Sequence, residues 1–143
     1  MTEEVKIAPI HPEFVDAVWA KVVELMGPSI ATSRGKFTPE DVRAEIMGGE
    51  LVLWMIWRGT APAAFYTTRI VSYPGGRGLA MDWVGGSGVF SWLDALVEAT
   101  ETHARRNGCT HLEGFGRRAW GRLLERHGWE PEYIAYRKDL TDG

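Results

Sequence analysis

The sequence feature that most constrains the fold is an unbroken apolar run over residues 51–57, Leu-Val-Leu-Trp-Met-Ile-Trp. The run has the length of a strand, and apolar side chains on both of its faces are typical of a strand covered on both sides. A turn at 58–60 and a β-branched, aromatic stretch over 63–73 predict a second strand, and residues 79–84 predict a third. The middle of the chain is therefore expected to form a three-stranded antiparallel meander.

Helical patterns lie on either side of this meander. Apolar residues at spacings of three and four predict a helix from Pro12 to about Met26, which Gly27-Pro28 should end. The run Thr38-Pro39-Glu40-Asp41 predicts a capped start for a second, shorter helix. After the meander, a helix from Val89 to about 107, a strand over 111–115 and a helix ending at Gly128 follow.

Short strands at 5–7 and 132–140 complete the pattern at the two ends of the chain. The fold class predicted from these elements is α/β, or α+β, with a mixed sheet, helices on both faces and the order β-α-α-β-β-β-α-β-α-β. A length of 143 residues with 45% hydrophobic residues suits a single domain over residues 1–143.

Composition excludes several classes of function. A net charge of −3 argues against general nucleic-acid binding, which depends on broad neutralisation of phosphates. No apolar run approaches the roughly 20 residues of a membrane span, and the acidic amino terminus is unlike a secretory signal, so we expect no membrane association and a cytoplasmic location. One cysteine and four histidines without paired ligand spacing predict no metal site.

The order of the elements, together with the late helix that runs from Arg122 into Gly128-Trp129, resembles the GNAT superfamily of acyl-CoA-dependent N-acyltransferases. The resemblance implies acetyl-CoA or another acyl-CoA as donor, an amine as acceptor and no metal. In that family, the loop after the third meander strand holds the pyrophosphate of coenzyme A on free backbone amides at a helix start. Here the corresponding cofactor-binding positions are Trp83, Val84, Gly85, Gly86, Ser87, Gly88 and Arg117.

Two of these positions depart from the family pattern. Trp83 stands where the family has Gln or Arg, and Arg117 stands where it commonly has Asn. The resemblance also implies that a backbone amide near Trp83 or Val84 polarises the thioester carbonyl. A glycine-rich turn between strand and helix is also common for structural reasons alone, which is the alternative for residues 85–88.

The catalytic groups must be sought among substitutes, because Leu124 occupies the position of the family's usual Tyr acid. Asp82 and Glu113 are candidate bases that would remove the ammonium proton, and Tyr133 and Tyr136 are candidate acids for the departing thiolate. Each has an alternative role: the carboxylates in ion pairs with arginines, the tyrosines in packing.

A second function is consistent with the same residues. The altered positions and the seven tryptophans of this short chain suit a non-catalytic GNAT-fold protein that binds protein partners in an assembly. Small GNAT-like proteins that resemble this chain occur in tailed-phage genomes, which implies a phage or prophage structural protein and a location in the virion.

Overall fold

A computed structural model describes residues 4–116 and 118–140. A 3-10 turn at Pro12–Phe14 precedes the first helix. The helices and strands are β1 Val5–Ile10, α1 Val15–Ala31, α2 Pro39–Met47, β2 Val52–Arg58, β3 Ala61–Tyr73, β4 Gly76–Gly86, α3 Val89–Arg106, β5 His111–Gly114 and α4 Arg118–Glu125. The predicted mixed α/β order is confirmed from β1 to α4.

The strands form one five-stranded sheet in the order β1-β2-β3-β4-β5. Each of the first four strands pairs antiparallel with the next, so the predicted meander of β2, β3 and β4 is confirmed. β5 returns after α3 and lies parallel to β4. The sheet is therefore mixed, with its parallel pair at one edge.

Helices cover both faces of the sheet, as the apolar run of β2 predicts. Leu53 and Met55 face a core built with α1 and α2, while Trp54 and Ile56 face a second core built with α3 and α4. Successive strand residues point to opposite faces, so a strand buried on both sides must be apolar at every position. The same alternation places Phe65 of β3 in the first core.

The predicted end of the first helix is wrong. α1 passes Gly27 and Pro28 and continues to Ala31. Two hydroxyl groups satisfy carbonyls in this last turn, with Ser29 Oγ donating to the Met26 carbonyl at 3.0 Å and Thr32 Oγ1 donating to the Ser29 carbonyl at 2.6 Å. Ile30 also packs against the first core, so tertiary contacts outweigh the helix-breaking tendency of proline.

The predicted final strand is also wrong. Residues 129–140 form no strand, and the outer edge of β5 has no partner strand within the described ranges. Tyr133 is 63% exposed and the next residue, Ile134, is 73% exposed, so neither side of a strand here would be buried. An alternating pattern fixes a strand only when one face gains a core, and that gain is missing here.

The predicted start of α2 is confirmed. Thr38 Oγ1 accepts from the Asp41 amide at 3.2 Å, and the Asp41 carboxylate accepts from the Thr38 amide at 2.8 Å. This reciprocal pair satisfies amides that the first helical turn leaves free. The capping box fixes where α2 begins, and α2 in turn forms one wall of the site described next.

Candidate functional site

The strands β4 and β5 separate halfway along the sheet. Their last parallel pair is Met81 with Gly114, after which β4 continues for five residues to Gly86. No other strand takes the place of β5 along this stretch in the residues that are described. A wedge therefore opens between the two strands, with the α1/α2 layer on one side and the α3/α4 layer on the other.

A β-bulge lies at the start of this wedge. Tyr66 pairs with Val84 and Thr68 with Met81, so Asp82 and Trp83 together stand opposite the single residue Thr67. The Trp83 amide donates to Thr67 Oγ1 at 3.2 Å. A bulge breaks the strict alternation of faces, which lets two consecutive residues point toward the same layer. Because the Trp83 amide is engaged, the amide of Val84 remains as the candidate donor to a carbonyl.

Trp83 faces α1 and α2, away from the start of α3. It is 9% exposed, belongs to the first core and meets the ring of Phe37 edge-on at 5.4 Å between centroids. The side chain therefore packs in the layer opposite the one in which a cofactor at α3 would lie.

A cleft of about 530 Å³ opens on this same face. It reaches the point where the strands separate, because its lining includes Asp82 and Trp83 just beyond the last pair on β4 and Phe115 just beyond β5. Its volume falls in the range of small-molecule binding sites in proteins, about 300–1,000 Å³.

The cleft has a charged floor. Five ionisable residues line it, three of them acidic and two basic: Glu45, Glu50, Asp82, Lys36 and Arg69. Arg69 donates to both oxygens of Asp82, with Nε to Oδ2 at 2.9 Å and Nη2 to Oδ1 at 3.3 Å. This bond to the carboxylate raises the pKa of Arg69. Asp82 thus forms an ion pair with an arginine, which is the alternative role that the sequence offered for it.

Glu45 on α2 and Glu50 are the carboxylates of the cleft that remain free, and Glu45 is the more buried of the two. Neither side chain accepts a hydrogen bond or joins an ion pair from any part of the chain that the structure describes. Burial, with the neighbouring charges of Glu50 and Asp82, raises the pKa of Glu45 above its ordinary value. Sequence reasoning missed this residue, since nothing separates it from the other charged residues of a short amphipathic helix.

The second predicted base, Glu113, is engaged elsewhere on the same face. The Tyr73 hydroxyl donates to its carboxylate at 2.8 Å, and His111 Nε2 lies 3.0 Å from Oε1. The bond to Glu113 is the main reason that the pKa of Tyr73 is raised. Glu113 contributes to the electrostatic field at Arg69, so it lies near the cleft without lining it.

The two predicted acids differ in position. Tyr133 is 63% exposed and packs edge-on against Phe115 at the rim of the cleft, with ring centroids 5.9 Å apart. Tyr136 is 90% exposed. The structure therefore brings Tyr133 toward the candidate site and leaves Tyr136 in solvent. Arg117, the remaining predicted cofactor residue, lies outside the described residues.

The loop in the glycine-rich segment 85–88 is shorter than the sequence indicates. Gly85 and Gly86 are the last residues of β4, and only Ser87 and Gly88 connect the strand to α3. A Cβ at Gly85 would overlap the Leu25 carbonyl oxygen of α1, so this glycine lets helix and strand approach closely. This close packing is what the structural interpretation of these residues predicts for Gly85.

Gly88 caps α3 in the left-handed conformation, with φ of 70°. A Cβ there would lie 2.8 Å from Nη1 of Arg58, so the guanidinium group sits against the amino end of the helix. Free amides and the helix dipole favour an anion at such an end, and Arg58 adds a full positive charge. The sequence pattern placed Arg58 in a turn and gave no signal of this role.

Metal and membrane features complete the description of these residues. No group of three or more His, Cys, Asp or Glu is arranged to hold a metal within residues 4–116 and 118–140. In the same residues, no helix has the length and apolar character that crossing a membrane requires.

Comparison with known proteins identifies the fold. No protein-family model matches the chain, and no curated protein sequence does. Many solved structures match it, among them glucosamine-6-phosphate N-acetyltransferase from Arabidopsis thaliana, at 20% identity and a TM-score of 0.68, covering 97% of this chain and 100% of the other.

Two further matches point the same way. A GCN5-related N-acetyltransferase from Ralstonia eutropha is 12% identical, with a TM-score of 0.69 over 95% of this chain and 99% of the other. An aminoglycoside N-acetyltransferase solved in complex with CoA is 13% identical, with a TM-score of 0.69 over 98% of each chain. Together with the diverging strands and the β-bulge, these likenesses establish that the chain has the GNAT fold.

Proposed function

We propose that this protein is an acyl-CoA-dependent N-acyltransferase that works as one domain in the cytoplasm. The observation that carries the proposal is the cleft that opens at the separation of β4 and β5 on the α1/α2 face. An amine entering from this cleft would meet a thioester entering from the α3/α4 face at the wedge between the strands. Two reactants brought together in this way need no covalent enzyme intermediate.

The acyl-CoA phosphates would bind at the amino end of α3. Gly88 and the guanidinium of Arg58 lie there, and no carboxylate forms an ion pair with Arg58 in the described segments. One of the similar structures contains CoA, which supports extending this ligand to the present chain. Within the predicted cofactor set, Ser87 and Gly88 then approach the ligand, whereas Gly85 keeps a packing role.

The reaction requires a base, a hydrogen-bond donor to the carbonyl oxygen and a proton donor to the thiolate. The residues present, with water, can supply all three. A carboxylate takes a proton from the ammonium group, and the free amine attacks the thioester carbonyl carbon. The Val84 amide donates to the carbonyl oxygen as it gains negative charge. The C–S bond then breaks, the thiolate takes a proton from Tyr133 or from water, and the second proton that the nitrogen loses replaces it on that group.

Calorimetric titration with acetyl-CoA and with CoA tests the proposal. We expect saturable binding, and ligand at 100 times its Kd should stabilise the fold by about 2.7 kcal/mol. Arg58→Ala should weaken binding about tenfold, since charge-assisted bonds to phosphate are lost. Arg77→Ala, an exposed arginine at the other end of β4, is the matched control. Absence of binding at millimolar ligand would exclude this function.

A non-catalytic role in an assembly, such as a phage or prophage virion, is the second candidate. One observation favours it: residues 129–140 expose Ile134, Tyr136 and Leu140, and the outer edge of β5 is unpaired among the described residues. Another observation weakens it, since three of the seven tryptophans are buried and the other four are half-buried, so none is fully available to a partner. A stable complex formed through residues 129–140, together with absence of acyl-CoA binding, would favour this role.

A further inference from the structure

The walls of the cleft are aromatic. Phe37 and Phe115 line it and are 39% and 65% exposed, and Trp83 lines it beside Phe37. Exposed rings that line a concave site are covered favourably by a flat apolar group. The cleft therefore suits a ligand with an aromatic or comparable apolar body.

The charges of the cleft favour a cation. Asp82 and Arg69 neutralise one another through their two hydrogen bonds. Glu45 and Glu50 remain on the acidic side against Lys36 alone, which leaves an excess of negative charge. A ligand with a carboxylate would meet repulsion from this pair, whereas an ammonium group would be attracted.

The carboxylates are not equivalent as proton acceptors. Asp82 holds the guanidinium of Arg69, and Glu113 holds the Tyr73 hydroxyl and approaches His111. An acceptor that already receives strong hydrogen bonds is a weaker base for a substrate. Glu50 and Glu45 line the cleft and accept none from the described part of the chain; Glu50 is exposed, so the candidate base is the half-buried Glu45. Its raised pKa brings it closer to the range in which a general base works best.

Residues 133–139 bound the rim of the cleft. Tyr133 packs on Phe115 on one side, and Asp139 Oδ2 accepts from Arg34 Nη2 at 2.9 Å on the other. Arg34 directly follows the lining residue Ser33. Residues 133–139 thus join two sides of the rim, which restricts access for a folded protein more than for a small molecule.

We infer that the acceptor is a small primary amine on an aromatic or similarly flat apolar body, and that Glu45 takes its ammonium proton. The inference rests on the proposed acyltransferase function. The ring lies between Phe37 and Phe115, and the ammonium group lies toward Glu45 and Glu50. One ammonium proton passes to the Glu45 carboxylate, and the nitrogen bonds to the acyl carbon. The C–S bond breaks, and the second proton that the nitrogen loses passes through Tyr133 or water to the thiolate.

Ligand binding is measured first, in the absence of acyl-CoA. We expect 2-phenylethylamine and tryptamine to raise the melting temperature and to bind at least tenfold more tightly than butylamine, phenylalanine or a lysine-containing peptide. Equal or tighter binding of phenylalanine or the peptide would overturn the assigned class. This result is independent of acyl-CoA binding, so it separates failure of this inference from failure of the proposed function.

Turnover is then followed by release of free CoA thiol from acetyl-CoA. Glu45→Gln should lower kcat with phenylethylamine about 10²- to 10⁴-fold and should remove the acid limb of the pH profile of kcat/KM. Glu40→Gln, the same change in the exposed first turn of α2, is the matched control. An unchanged pH profile in the Glu45 variant, with acetyl-CoA binding intact, would show that Glu45 is not the base.

Discussion

Substitution of Gly85 by alanine separates a packing role of the glycine-rich segment from a role in ligand binding. An alanine Cβ would overlap the Leu25 carbonyl oxygen and would lie 2.8 Å from Cε1 of the Phe65 ring. Phe65 is fully buried and the Leu25 oxygen belongs to the backbone of α1, so neither neighbour moves easily. The helix must shift away from β4, or β4 must shift within the sheet.

The expected cost lies at the upper end of the range for overpacking a core, about 2–3 kcal/mol. For a chain of this length, about 3 °C of melting temperature corresponds to each kcal/mol, so we expect a loss of about 6–9 °C. Thermal unfolding followed by circular dichroism measures this loss. The affinity of the folded variant for CoA, measured by calorimetry well below its melting temperature, should stay within about threefold of the wild type.

Gly121→Ala provides the matched control. Gly121 lies within α4, and a Cβ there meets no atom within 4 Å. Alanine in an unobstructed helix interior stabilises by about 0.5–1 kcal/mol. If Gly85→Ala melts within a degree of the wild type, the close approach of α1 to β4 does not constrain this position. If it loses CoA binding while keeping its stability, Gly85 belongs to the ligand site.

Three further predictions concern residues that line the cleft or lie next to it. Thr38→Ala should lower the free energy of unfolding by about 1 kcal/mol in urea denaturation, because the capping box is lost; an unchanged midpoint would contradict it. Asp82→Asn should cost about 1–3 kcal/mol in the same assay, since Arg69 loses its charged partner; the double variant with Arg69→Gln should recover part of that loss. Because the folded-state pKa of Glu45 exceeds its ordinary value of 4.5, its ionisation destabilises the fold at neutral pH. Glu45→Gln should therefore raise the unfolding midpoint at pH 7, and the difference should vanish near about pH 4; a difference that persists in acid would refute this reasoning.

The predicted elements that proved correct depend on short-range patterns. The unbroken apolar run of β2, the capping box at Thr38 and the apolar periodicity of α3 each depend on a few neighbouring residues. The errors arose where a tertiary contact decided the outcome. Ile30 gains a core contact that carries α1 past Pro28, whereas Ile134 gains none, and residues 129–140 remain outside the sheet.

The candidate site was only partly predictable for the same reason. Asp82 was named from its place on the third meander strand, but its partner Arg69 was not, although a charge within a β-branched strand signals a need for a partner. The direction of Trp83 could not be predicted, because a bulge turns it toward the same layer as its neighbour. Glu45 and Arg58 showed no local signal at all.

The sequence by itself determined most of the helices and strands, and their order resembles the GNAT fold. Only the tertiary structure decided where β4 leaves β5, which carboxylates of the cleft are paired, and how closely Gly85 approaches α1. The physical reason is the separation along the chain of the residues that interact. Periodicity and capping act within a few residues along the chain, whereas strand register, a bulge and the burial of Glu45 depend on segments that meet only after folding.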